Sequence, residues 1–315
     1  MLDVRKLRVL RELAARGTIA ATAEALSFTP SAISQQLSAL ERETGVELLA
    51  REGRRLSLTE PARRLVARTD QVLAALEAAE ADLEASVGEV RGTIALAAFP
   101  TAAAVLVPPA VAALRDQHPA LAVRVEELEP QDSLPALRLG EVDVALAHDY
   151  DTIPRTPDPA FVEHPLLSDP LRIAVPADHP LARSRSTSAS ANGSACARGT
   201  VDLADLAGER WIAGRPGTHC GTVVTTASRA AGFEPDVVAH GSEFATMLAL
   251  VAAGLGVAMV PGLATAAGAA PGVALLEPRP ALERRIFAAV RPGSGRRAAV
   301  AAVLAALATR SAELS

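Results

Sequence analysis

From Thr29 to Glu41 the chain reads Thr-Pro-Ser-Ala-Ile-Ser-Gln-Gln-Leu-Ser-Ala-Leu-Glu, and few local structures accept that order. Thr29 is a strong N-cap, because its hydroxyl accepts from one of the first free amide N–H groups of a helix. Pro30 suits the first helical position, where no N–H is needed. Ile33, Leu37 and Leu40 then recur at helical spacing and form one apolar stripe. Ser31, Ser34, Gln35 and Ser38 fall on the opposite face, which is short, uncharged and rich in hydrogen-bonding groups. Such a face suits base-pair edges, since serine donates or accepts and glutamine bonds adenine at two points. On an isolated helix it would read as an ordinary solvated surface. The upstream segment decides between the two. Residues 19–26 form a second short helix of small side chains, and Ser27-Phe28 makes the tight turn between them. Two short helices of this kind describe a helix-turn-helix.

Residues 21–26 (Ala-Thr-Ala-Glu-Ala-Leu), 30–41 and 45–51 (Gly-Val-Glu-Leu-Leu-Ala-Arg) together resemble the N-terminal domain of LysR-type transcriptional regulators. The chain departs from that pattern at Leu49, where the family usually has Phe, and at Pro61-Ala62, where it has Ala-Gly. Both positions lie off the reading face. Thr29, Ser31, Ser34, Gln35, Gln36 and Ser38 are therefore the expected DNA-contacting residues of the helix. Residues 47–59 read as a β-hairpin with its turn at Glu52-Gly53 and with Arg51, Arg54 and Arg55 near the tip. Beside a recognition helix, a basic hairpin is a wing that neutralises phosphates rather than reading sequence. The alternative is a solvated basic turn.

The 315 residues carry a net charge of −5, which argues against a chain that coats nucleic acid by charge alone. The basic residues nevertheless gather early, at Arg5, Lys6, Arg8, Arg11, Arg51, Arg54, Arg55, Arg63 and Arg64, so the electrostatic footprint is local. The N-terminus is charged and has no secretory apolar core. Residues 247–270 are apolar but broken by glycines and Pro261, so they suit a buried helix and strand better than a membrane span. Two cysteines, Cys196 and Cys220, cannot make a metal site alone. A cytoplasmic protein without metal or cofactor is expected.

Three parts follow: a winged helix-turn-helix over 1–59, a linker helix and hinge over 60–91, and an effector-binding domain over 92–315. Thr59 caps the linker helix, along which Leu65, Thr69, Val72, Leu76, Ala79, Leu83 and Val87 step by threes and fours. That seam needs a partner, either the chain's own C-terminal domain or an antiparallel second copy. The resemblance implies the second copy, and with it a homodimer on a pseudo-palindromic promoter site and assembly into tetramers. Residues 88–92 form the hinge. Strands at 93–98, 123–128 and 142–147 alternate with helices at 101–117 and 132–139, which argues for a parallel sheet covered by helices. A second α/β unit opens at 171–176 and includes strands at 210–212, 236–239 and 257–261, with helices at 220–231 and 244–253. Strands at 273–276 and 285–290 and a helix at 297–309 return to the first lobe.

Residues 140–145, 177–181 and 251–261 resemble the effector domain of the same family, similar to periplasmic binding proteins, with lobe I at about 92–165 and 267–315 and lobe II at about 166–266. The fold class is thus α/β with an all-α winged reader, a long linker helix and two α/β lobes. The exception to the resemblance is the Ser/Ala/Gly-rich stretch 183–200, which reads as a surface loop.

In open parallel sheets, ligands lie beyond the carboxyl ends of strands, near helix N-termini. That places a small-molecule effector against Thr101 and Gln131 of the first lobe and Arg215, Thr218 and His219 of the second. Thr101 and Thr218 are the positions where the family often holds its coinducer, with Phe244 as a further contact. Each has a plainer role as a cap or loop residue. His148, just past a strand, lines the interlobe hinge or is idle. No nucleophile elbow, phosphate loop or metal-binding His pair is present, so an enzyme is not expected. A solute-binding protein is opposed by the reader domain. A redox switch at Cys220 is the alternative to a ligand, since its helix N-terminus favours a thiolate.

Overall fold

The computed structural model describes residues 2–52, 55–85, 90–153, 156–183, 199–266, 268 and 270–314, side chains at 51, 52, 55, 84 and 85 excepted. Gly53, Arg54, Val87 and Cys196 lie outside these residues, as do most of the expected hinge and most of the 183–200 stretch.

The reader begins with α1 (Val4–Arg16), α2 (Ile19–Ala25) and α3 (Pro30–Thr44). Each is capped by its sequence. Asp3 accepts from Arg5 N at 2.9 Å, Thr18 from Ala21 N at 3.2 Å and Thr29 from Ala32 N at 3.2 Å. Gly17 and Gly45 end α1 and α3 in the left-handed region, where glycine has no Cβ to clash. Leu10, Ile33 and Leu40 are wholly buried in one core, each such burial stabilising by about 1.5–3 kcal/mol. The hairpin β1 (Leu49–Glu52) and β2 (Arg55–Leu58) sets Leu49 opposite Leu58. The carboxylate of Glu41 accepts from Leu48 N and Leu49 N, so the last turn of α3 holds the hairpin in place.

Helix α4 (Glu60–Ala85) starts where Thr59 caps Ala62 N. Its faces divide the expected seam. Leu65 packs on the reader core, and Thr69 is buried with its hydroxyl donated to the Leu65 carbonyl. A second face lies on the chain's own C-terminal domain: Glu77 pairs with Arg291 at 2.7 Å, and a Cβ on Gly293 would stand 1.9 Å from the Ala74 carbonyl oxygen. Val72, Leu76 and Leu83 remain 41%, 45% and 72% exposed. The helix therefore packs on its own chain and still presents an apolar stripe.

The C-terminal part is one twisted sheet shared by two lobes. In the first, β4 (Leu121–Glu127), β3 (Gly92–Ala98) and β5 (Val144–Tyr150) run parallel, and β12 (Glu283–Val290) joins them antiparallel. Helices α5 (Pro100–Val105), α6 (Val107–Gln117) and α11 (Ala298–Ala312) cover one face, and α7 (Pro130–Leu139) packs on the other. The single helix expected over 101–117 is two, because Pro108-Pro109 remove the N–H groups that would carry it across Leu106. In the second lobe β8 (Arg210–Gly214) lies between β9 (Asp236–Gly241) and β10 (Val257–Pro261), with α9 (His219–Ala230) and α10 (Phe244–Ala252) packed against them, and α8 (Pro180–Arg183) is a single turn of the same lobe. Strands buried on both faces need continuous apolar runs, which β10 has along its length and β5 over its first four residues.

Two features differ from the sequence expectation. Strand β6 (Val162–Pro176) is a single long crossing rather than one starting at 171: its first half pairs with β12 and its second with β10. Pro165 and Pro170 disguise it, and a register shift opposite Ile286/Phe287 passes over Leu166. Strand β11 (Val273–Arg279) does not return to the first lobe. It pairs with the second half of β6 and with β7 (Gly199–Asp202). Only β12 returns, because apolar alternation reports that a strand is buried and not which neighbour it takes.

The reader is also joined to the first lobe. Arg11, grouped by sequence with the basic surface residues, is instead 5% exposed and donates to the carbonyls of Arg138 and Leu139 at the end of α7. A guanidinium there meets the free carbonyls and the negative end of the helix dipole.

Candidate functional site

On α3 the apolar stripe faces the core, so the polar stripe faces out. Thr29, Ser31, Gln35 and Ser38 are exposed, and Ser34 and Gln36 are half-exposed. The Ser34 hydroxyl donates to the Pro30 carbonyl at 2.9 Å, and those of Thr29 and Ser31 stand 3.0 Å apart. Gln35 makes no such internal bond among the described residues, which leaves its amide free for a base. Gln36 borders a surface hollow shared with Arg5, Arg8 and Phe28, so α1 supplies charge beside the reading face. In the wing, Arg54 and the side chains of Arg51 and Arg55 lie outside the described residues.

The interlobe cleft is built around a buried ion pair that the sequence reading did not find. Arg284 on β12 stands directly opposite Asp169 on β6, where the chain crosses between lobes. Its Nε donates to Asp169 Oδ2 at 2.8 Å, and its Nη2 donates to Thr101 Oγ1 at 2.8 Å. Asp169 Oδ1 accepts from Leu263 N at 3.0 Å, and a Cβ on Gly262 would come within 2.8 Å of that oxygen. The guanidinium also lies over the Phe99 ring, 5.1 Å from its centre. Burial pushes the carboxyl of Asp169 up despite Arg284, and it pushes Glu129, which lines the same cleft, in the same direction. A signal for Arg284 existed: it falls in phase with Ile286 and Ala288 on a strand whose alternate residues face inward.

Aromatic and sulfur groups complete the walls. His148 on β5 is buried, with its ring 4.7 Å from Phe99, 5.2 Å from Tyr150 and 5.8 Å from His219. Its Nδ1 and that of His219 have no hydrogen-bond partner among the described residues. Tyr150 and Cys220 bridge the lobes through an O···S contact of 3.3 Å. Burial pushes the Cys220 thiol up, against the opposing hydrogen bond from Tyr150, so the thiol rather than the thiolate is favoured. Burial, then the charge of Arg284, holds His148 well below its usual value of 6.5.

This depression has a signed consequence. The unfolded chain takes up a proton at His148 below about pH 6.5 while the folded chain does not, so stability falls as pH drops. His148→Gln is expected to remove a loss of about 1 kcal/mol per pH unit just below that point. Urea denaturation of both proteins at pH 7.5 and pH 5.5 measures it, and parallel losses in the two would remove His148 as the cause.

Of the residues expected to meet an effector, Thr101 and Phe244 line the cleft. His219 stands beside His148. Thr218 is the N-cap of α9: its hydroxyl accepts from Gly221 N at 3.1 Å and donates to the Arg215 carbonyl at 2.7 Å. Arg215 and Gln131 are exposed and take no part in the lining. The free space amounts to about 20 Å³, room for one water-sized molecule.

The comparisons agree with this architecture. Residues 4–63 match the profile of the bacterial regulatory helix-turn-helix protein, lysR family, and residues 88–312 match the LysR substrate binding domain. The uncharacterized HTH-type transcriptional regulator YybE of Bacillus subtilis is 26% identical over 82% of this chain and 82% of its own. The DNA-binding transcriptional dual regulator OxyR of Escherichia coli is 27% identical over 84% of this chain and 80% of its own. A full-length OxyR variant from Pseudomonas aeruginosa superimposes with a TM-score of 0.67, covering 98% of this chain and 95% of that one at 21% identity, a likeness of fold.

Proposed function

The chain belongs to the LysR family of DNA-binding transcriptional regulators with an effector-binding domain, and from that membership we propose how it reads DNA and where it is controlled. Two copies pair through the exposed stripe of α4 and set two α3 helices on a pseudo-palindromic site. In each half-site Gln35 and Ser38 meet base edges, with Thr29, Ser31, Ser34 and Gln36 alongside. Arg51, Arg54 and Arg55 of the wing neutralise phosphates. The observation that carries this reading is the outward, uncharged, hydrogen-bonding face of α3 with an unengaged Gln35 at its centre. The protein acts in the cytoplasm, and no described helix is long and apolar enough to cross a membrane.

Gln35→Ala is expected to weaken specific binding by about 1–3 kcal/mol and to relax one base position. Arg54→Ala is expected to weaken target and scrambled duplexes alike and to lower the salt slope by about one. Equal losses on target and scrambled DNA for Gln35→Ala would remove it from base reading.

The effector of this reading sits between the lobes against Thr101, Arg284, His148 and Phe244, where one cation, a neutral imidazole and an aromatic edge favour a small polar molecule. A ligand larger than one water must part the lobes, and it acts only by preferring that arrangement. Thr218, Gln131, Arg215 and His219 gain contact only on such opening.

A second reading is favoured by one observation: Cys220 lines the same cleft, within reach of the Tyr150 hydroxyl. Peroxide would oxidise that thiol to a sulfenic acid and leave as water. The raised thiol opposes it. A Cys220→Ser protein whose DNA binding still responds to peroxide excludes this reading.

A further inference from the structure

We infer that the hollow where the reader, α4 and the first lobe meet is a second binding site, for a small organic acid with an apolar body. The cavity measures about 530 Å³. Small-molecule sites run from about 300 to 1,000 Å³, so it has the room that the closed interlobe cleft lacks. Val66, Leu73, Pro159 and Ala160 supply apolar wall.

The polar groups come from all three bodies. Arg11 belongs to α1, Arg63 and Asp70 to α4, and Arg138 and Asp158 to the first lobe. Asp70 lies 3.5 Å from Arg138 and 3.9 Å from Arg11, while Asp158 also pairs with Arg138. Glu77 is taken by Arg291. Each carboxylate of the wall thus faces an arginine, although Glu77 Oε2 has no partner among the described residues, and a cation is left over: the side chain of Arg63 makes no ion pair or hydrogen bond with another described residue. A second observation points the same way. Arg11 is buried and its Nε has no hydrogen-bond partner among the described residues. Burial lowers its proton affinity as it raises the carboxyl of Asp70 in the same wall, so both charges of that pair are poorly solvated there. An added anion pairs with Arg63 beside the bare Nε of Arg11, and the apolar wall takes the body that carries it.

Occupancy has a consequence for DNA. Because the walls belong to three bodies, a ligand filling the space favours one angle of the reader on the lobe. Helix α7 connects this place to the cleft: Glu129 at its start lines the cleft, and the carbonyls of Arg138 and Leu139 at its end hold Arg11. Two ligands acting on one helix affect each other's affinity reciprocally.

The test is calorimetric titration of the full-length protein with benzoate, naphthalene-2-carboxylate and decanoate, with naphthalene-2-carboxamide as the neutral control. At least one acid is expected to bind, with the amide at least about tenfold weaker than its acid. Ala67→Trp, which fills the hollow from an exposed helix position, is expected to abolish binding. Arg63→Gln should weaken it about tenfold, and Arg124→Gln, exposed on β4 away from both cavities, should leave it unchanged. Failure of all three acids to bind overturns the proposal. So does an acid whose binding is lost in Thr101→Val and kept in Ala67→Trp, which places it in the cleft. Binding by the Leu76→Glu protein alone overturns it too, because a second copy then occupies the space.

Discussion

Leu76→Glu is expected to turn the proposed dimer into monomers and to weaken binding to a two-half-site operator by about 10²–10⁴-fold, the gain that tethering two readers provides. Leu76 is 45% exposed between Val72 and Leu83, on the face of α4 that neither the reader nor the lobe covers. A glutamate there keeps good helix propensity, so the chain itself stays folded. Placed in an antiparallel pair it sets a charge in an apolar seam. Sedimentation at micromolar concentration shows the change of mass, and titration of a single half-site separates pairing from reading. An unchanged dimer in Leu76→Glu would move the pairing surface elsewhere.

Arg284→Met carries the largest expected loss of stability, about 3–5 kcal/mol, because it leaves Asp169 buried without its counter-charge. The loss is expected to shrink as pH falls. A carboxyl pushed up by burial penalises the folded state while ionised, and protonation relieves that penalty. The double change Arg284→Met with Asp169→Leu should recover most of the loss, since apolar replacement of both partners removes the uncompensated charge. Urea denaturation at pH 7.5 and pH 5 reads all three proteins. A loss below about 1 kcal/mol for Arg284→Met would mean that the pair does not hold the two lobes at their crossing.

What the sequence disclosed follows from which forces act locally. The reader was legible almost residue by residue, because Thr18, Thr29, Pro30, Gly17 and Gly45 act through their own backbone neighbours. The linker helix was half legible. Its spacing reported an apolar stripe, but Leu65 was claimed by the reader and Glu77 by Arg291, both set by distant chain. In the effector domain the strands were found and their neighbours were not: β11 shows the same apolar pattern whichever lobe it joins. The cleft was least legible. The rule that ligands sit beyond strand ends pointed to Thr101, which lines the cleft, and to Thr218, whose hydroxyl is engaged in the α9 cap. Arg284 and Asp169 lie 115 residues apart, and only strand register brings them opposite one another.

The most direct test of the account is the affinity of the purified protein for the promoter region beside its own gene, compared with a scrambled duplex of equal length at about 0.15 M salt. A face that reads bases predicts a preference of about 10³-fold or more. Equal affinity for the two duplexes would show that α3 binds DNA without reading it, and would contradict the function assigned to residues 29–38.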